Sequence, residues 1–195
     1  LTIQFIGLGA MASVFGLWAS PYLHDIHGLD GPGRGQVLLA MAIASALGLL
    51  FWGPMDIRFD SRKRPVLIAT SCSAVILTLL AMPGAPWLLG AAALLAAMGF
   101  CNGNTAIVIA HGRAIFPDRL VGRGISLLNM GGMAGAGTLQ YVCGVIVGQF
   151  AAPGEAAPLI AYQLVFGFLA ACLMIAALVY SRVADMPPSR DGGAE

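Results

Sequence analysis

Six apolar stretches, each about as long as a lipid hydrocarbon layer is thick, leave this 195-residue chain few ways to fold. They run from Thr2 to Leu23, Gln36 to Met55, Pro65 to Met82, Trp87 to Gly112, Gly124 to Phe150 and Pro158 to Ser181, and none carries Asp, Glu, Lys or Arg in its interior. A ~30 Å hydrocarbon core takes about 20 helical residues at ~1.5 Å each. With 58% hydrophobic residues, 10% charged and mean hydropathy +0.85, the chain lies far from the roughly 25% charged residues of a soluble domain. The fold class that follows is all-α and integral to a membrane, with six transmembrane helices.

Sidedness comes from the basic residues. Arg58, Arg62, Lys63 and Arg64 follow the second stretch, Arg113, Arg119 and Arg123 the fourth, and Arg182 and Arg190 the sixth; the opposite connections hold only Arg34. Lys and Arg are retained on the cytoplasmic side, so the pattern predicts cytoplasmic N- and C-termini. The net charge of +1 and the lack of basic clusters interleaved with aromatics leave no reason to expect a nucleic-acid partner. Trp18, Tyr22, Trp87 and Tyr162 fall near predicted outer ends and Trp52 and Tyr180 near inner ends, as interfacial rings do, with Tyr141 the exception. Cys72, Cys101, Cys143 and Cys172 lie inside apolar stretches and form no ligand spacing, so they read as packing residues and no metal or cofactor is expected. A start at Leu1 without a basic leader predicts a piece of a longer polypeptide.

The tight Pro83-Gly84-Ala85-Pro86 turn makes the third and fourth helices antiparallel neighbours, and Gly31-Pro32-Gly33 is expected to break the chain before the second. Division at the proline pair gives two three-helix units, 1–83 and 84–184. An odd helix count makes the second unit enter from the opposite side, so the units are expected to be inverted repeats. Residues 185–195 are expected to form a cytoplasmic tail, disordered from Pro187-Pro188-Ser189 through Gly192-Gly193.

Two connections carry a family resemblance. Gly53-Pro54-Met55-Asp56-Ile57-Arg58-Phe59-Asp60-Ser61-Arg62-Lys63-Arg64 resembles the loop signature of major facilitator superfamily transporters, with Asp60 where a second Gly is usual. The run Arg113 to Gly124, followed by Ser126, Asn129 and a glycine-rich helix, resembles the connection before that superfamily's eleventh helix, and Gly16 to Leu23 extends the likeness along the first stretch. The resemblance implies the C-terminal six-helix half of a twelve-helix secondary carrier in the plasma (bacterial inner) membrane. Its partner would be an N-terminal half or a second copy, and it would move a small-molecule substrate by alternating access. On charge grounds alone, Asp56 at the end of the second helix is placed to latch the N-terminus of the fifth, where N–H groups are unpaired. In family terms Gly53, Asp56, Arg58, Arg62, Lys63 and Arg64 would then form a gate; the plainer reading is a helix-end anchor that enforces sidedness.

Polar groups inside lipid mark sites or interhelical glue. Asn102, Asn104 and Thr105 interrupt the fourth stretch and are candidates for substrate binding, with Asn102 and Thr105 on one face and Asn104 nearly opposite. Gln140 and Tyr141 form a second pair, from which Tyr141 is expected to point into the path. Gln4 and Asn129 lie nearer the ends and are weaker candidates. Gly131, Gly132, Gly135 and Gly137 give the fifth helix a face for close packing. His24, Asp25 and His27 sit in an expected outer loop too solvated to suggest a metal, and His111 reads as interfacial. An intramembrane protease would need Ser71 or Ser73 matched to a histidine at equal depth, and His111 lies at an edge, so an enzyme is not expected. A free-standing channel or assembly subunit is the alternative to a carrier half.

Overall fold

The computed structural model describes residues 1–84, 86–152 and 155–190, with the side chains of 118 and 190 excepted. Six helical spans are long and apolar enough to cross a membrane: Thr2–His27, Gly31–Arg58, Lys63–Ala81, Leu88–Ile115, Val121–Gly148 and Leu159–Tyr180. The described residues contain no strand. The turn through Ala85 and the tail from 191 onward lie outside the described residues.

The second span starts at Gly31, earlier than expected, because Gly31-Pro32-Gly33 opens the helix instead of interrupting the chain. Pro32 lies in the first turn, where a missing N–H costs nothing. Asp30 caps that turn by accepting from the Gly33 N–H at 2.9 Å.

The first span packs on the fifth, the second on the fourth and the third on the sixth, with further contacts between third and fourth and between first and sixth. Exchanging first with fourth, second with fifth and third with sixth leaves this set of pairs unchanged. Both close crossings rest on glycine. Where first meets fifth, a methyl on Gly9 would lie 2.7 Å from the Gly135 carbonyl, and one on Gly135 would strike the Phe5 carbonyl. Where second meets fourth, Gly99 faces the Met41 backbone, Gly48 the Phe100 carbonyl and Gly103 the Gly48 backbone. Lipid tails are as apolar as Leu, so packing at such contacts, and not expulsion from water, holds the helices together.

The core at the end away from the basic turns is aromatic: Tyr22 meets Phe166 and Tyr162 edge-on at centroid distances of 5.2 and 5.5 Å. The expected interfacial girdle is therefore only partly formed. Tyr22, Tyr162, Tyr180 and Trp52 are buried among helices, whereas Trp87 is 75% exposed. Burial prevails for the tyrosines because each hydroxyl finds a protein partner: that of Tyr22 meets His27 Nε2 at 3.4 Å, and those of Tyr162 and Tyr180 are described below.

Candidate functional site

The fourth span is broken near its middle. Gly103 N–H bonds to Phe100 O at 3.2 Å, Asn104 N–H to Cys101 O at 3.3 Å and Ile107 N–H to Asn104 O at 2.9 Å. Each is a three-residue step, so the backbone tightens between Leu88–Asn102 and Thr105–Ile115. A uniform helix would turn Asn104 away from Asn102. Across the break Asn102, Asn104 and Thr105 nevertheless line one cavity of about 40 Å³ with Gln4, Thr70 and Ser73.

No lining residue of that cavity carries a formal charge. Thr105 Oγ1 donates to Asn102 O at 2.8 Å and Ser73 Oγ to Ala69 O at 3.0 Å. Gln4 is 4% exposed, and its side chain makes no hydrogen bond among the described residues. The volume suits one to three water-sized groups, so the cavity accepts a small hydrogen-bonding moiety and not a whole metabolite. From the sequence, the depth of Gln4 suggests an easy partner, Ser73 stands out only as a nucleophile, and Thr70 has no signal beyond its spacing of three from Ser73, which puts both on one face.

The first span is irregular at a corresponding depth, where Val14–Trp18 widens into a π turn. Gln140 of the fifth span donates through Nε2 to Ala12 O at 3.1 Å, immediately before that turn. Within this pair Gln140 serves the first span, while Tyr141 is 73% exposed on the open face of the fifth. Of the fifth-span glycines, Gly131 meets the Leu1 side chain, Gly132 the Leu8 side chain and Gly135 the Phe5 backbone; Gly137 meets nothing within 4 Å.

At the basic end, the carboxylate that ties elements together is not the expected one. Asp56 accepts from its neighbour's Ile57 N–H at 2.8 Å and lies 3.8 Å from Arg62 Nε, and no hydrogen bond joins it to the fifth span among the described residues. The segment after the last helix does the tying. Asp185 accepts from Ser61 Oγ and, at 3.1 Å, from the Lys63 N–H that opens the third span. Arg62 donates to Met186 O at 3.2 Å, and Ser189 donates through N and Oγ to Asp60 at 3.2 and 2.9 Å. Asp60 holds φ at +41°, the left-handed region that its glycine-like position in the turn requires. Residues 184–189 thus form a docked strap instead of the expected disordered tail. Burial alone would raise the Asp185 carboxyl, but the Ser61 hydroxyl and the Lys63 N–H hold it below the ordinary carboxylate value. Arg58 and Arg64 remain exposed, and a methyl on Gly53 would lie 2.9 Å from Leu49 O.

Helix ends are pinned on both sides. His111, 2% exposed, donates from Nε2 to Ala184 O at 3.1 Å. A carbonyl can only accept, so Nδ1 takes the Tyr180 hydroxyl hydrogen. At the other end His24, Asp25 and His27 belong to a helical turn, Ala19–His27, and not to a loop. Asp25 accepts from Tyr162 OH at 2.6 Å, Ala157 N–H at 3.0 Å and His24 Nδ1 at 2.8 Å. Gln163 Nε2 donates to Met82 O at 2.7 Å, joining the sixth span to the end of the third.

A family model described as Major Facilitator Superfamily matches residues 1–195. No curated protein matches the chain.

Proposed function

The chain belongs to the major facilitator superfamily of membrane transporters, and from that premise we propose that it works as one six-helix half of a secondary carrier that moves a small solute by alternating access. The observation that carries this reading is the uncharged polar cavity at the break in the fourth span, because amides and hydroxyls inside an apolar bundle are stable only when paired or when they meet a polar guest. Asn102, Asn104 and Thr105, with Gln4 and Thr70 beside them, supply this half's share of the hydrogen bonds to the solute. The basic turns and both chain ends face the cytoplasm, as the distribution of arginine supports, and the membrane is the plasma or bacterial inner membrane.

The complementary half covers the two least enclosed spans, the second and the fifth. Leu39, Ile43, Leu47 and Leu50 form an exposed stripe on the second, and Met130, Met133 and Tyr141, with the open Gly137, one on the fifth. Gating at the cytoplasmic end runs through the strap and the turn from Gly53 to Arg64, with Asp185 in the latching role and Asp56 holding Arg62 in place.

The test is access from both sides. A cysteine replacing Asn104 in an otherwise cysteine-free chain, probed with a membrane-impermeant maleimide in oriented vesicles, is expected to react from either face. Reaction from one face only would overturn alternating access.

A further inference from the structure

The break in the fourth span and the π turn in the first are two versions of one device. Under the exchange that maps first to fourth and second to fifth, the first–fifth crossing corresponds to the fourth–second crossing. At each crossing a carbonyl at the irregularity accepts a hydrogen bond from a side chain of the partner helix. Gly103 N–H turns to Phe100 O, and the Gly99 oxygen that a regular turn would pair with it accepts instead from Ser45 Oγ of the second span at 2.9 Å. Ala12 O, at the entrance to the π turn, accepts from Gln140 Nε2 of the fifth span at 3.1 Å. Inside a bilayer no water competes for such a carbonyl, and a side-chain donor is what allows a helix to depart from regular pitch without an unpaired group.

We propose that Ser45 and Gln140 are paired positioning residues, each capping the bent form of the helix it crosses, so that the fourth and first spans have matched hinges whose bent states are stabilised from the second and fifth. The two donors differ in reach because the backbones differ in separation. At the fourth–second crossing Gly48, Gly99 and Gly103 bring the helices together, and the short Ser45 hydroxyl suffices. Gln140 lies five residues beyond Gly135, the point of closest approach to the first span, where the longer amide is required. Gln140 is on this account not a substrate ligand. The use of these hinges for solute movement rests on the carrier reading above; the capping does not, and it is tested without transport.

Two native cysteines report separately. Cys101 lies two residues past Gly99 and is 7% exposed; Cys143 lies three residues past Gln140 and is fully buried. In the full chain reconstituted in nanodiscs, with the other three cysteines replaced by alanine, the rate of alkylation by N-ethylmaleimide is compared at one pH. Ser45→Ala is expected to speed Cys101 about fivefold, the scale of one lost neutral hydrogen bond, and to leave Cys143 unchanged. Ser45→Thr, which retains the hydroxyl, restores the native rate. Gln140→Leu, which removes the donor without adding a charge, is expected to speed Cys143 and leave Cys101 unchanged. If either donor loss raises both cysteines alike, the residues are general packing elements and the proposal fails; it fails equally if neither rate moves while circular dichroism shows the helices intact.

Discussion

At the scale of single residues, the basic end turns on which carboxylate caps the third span. Asp56 is the better placed of the two in sequence, yet Asp185, far away in the chain, reaches the Lys63 N–H and the Ser61 hydroxyl. An N-terminal cap is worth about 1 kcal/mol, and losing this one also frees the strap that Arg62 and Asp60 hold. Asp185→Ala is therefore expected to cost about 1–2 kcal/mol in denaturant unfolding and to open residues 184–189 to limited proteolysis, while Asp56→Ala, which loosens only Arg62, opens them less. The pH dependence has a defined sign. Because the folded carboxyl is held below its ordinary value, its contribution is fully present above about pH 4 and is lost as pH falls through the lower folded value. Proteolysis of the strap should be flat between about pH 5 and 8 and rise only in stronger acid.

At the scale of elements, the fifth span shows how one stretch of glycines divides into two functions. Gly135 lies against the Phe5 backbone and cannot accept a methyl, whereas Gly137 faces open space. Gly135→Ala should separate the first and fifth spans at a cost of about 1–3 kcal/mol, the range for overpacking a close contact. Gly137→Ala should be neutral or stabilise the isolated six-helix unit by up to about 1 kcal/mol through helix propensity alone. Thermal unfolding of the two variants side by side separates a packing role from mere glycine content. A helix wheel also failed for Asn104: the wheel assumes constant pitch, and across the three-residue steps after Phe100 Asn104 lines the same cavity as Asn102 and Thr105.

At the scale of the whole molecule, the third and sixth spans are joined at both ends, by Asp185 to Lys63 on the basic side and by Gln163 to Met82 on the other. The second and fifth are the least covered, and the carrier reading assigns their stripes to a second six-helix unit. Cysteines replacing Ile43 and Tyr141 should form cross-links to such a unit when the chain is expressed together with one, whereas one replacing the exposed Ile175 of the sixth span should not. Cross-links from Ile43 and Tyr141 to a second copy of this chain would favour the channel or assembly-subunit alternative.

How much of this could be read from the chain alone follows from the range of the forces involved. The six spans and the clustering of arginine on alternate connections were legible because a bilayer screens each stretch of about 20 residues on its own content, a local property. The Gly31-Pro32-Gly33 start was misread because the same residues break a helix in its middle and open one at its first turn. Which tyrosine is buried, which amide ties one helix to another and which acid caps the third span could not be read, because each depends on a partner brought near only by packing: Tyr162 with Asp25, Gln140 with Ala12, Asp185 with Lys63. In lipid every polar group must find such a partner within the protein, so the amino-acid order determined what crosses the membrane, and the tertiary structure alone decided how each polar group inside it is satisfied.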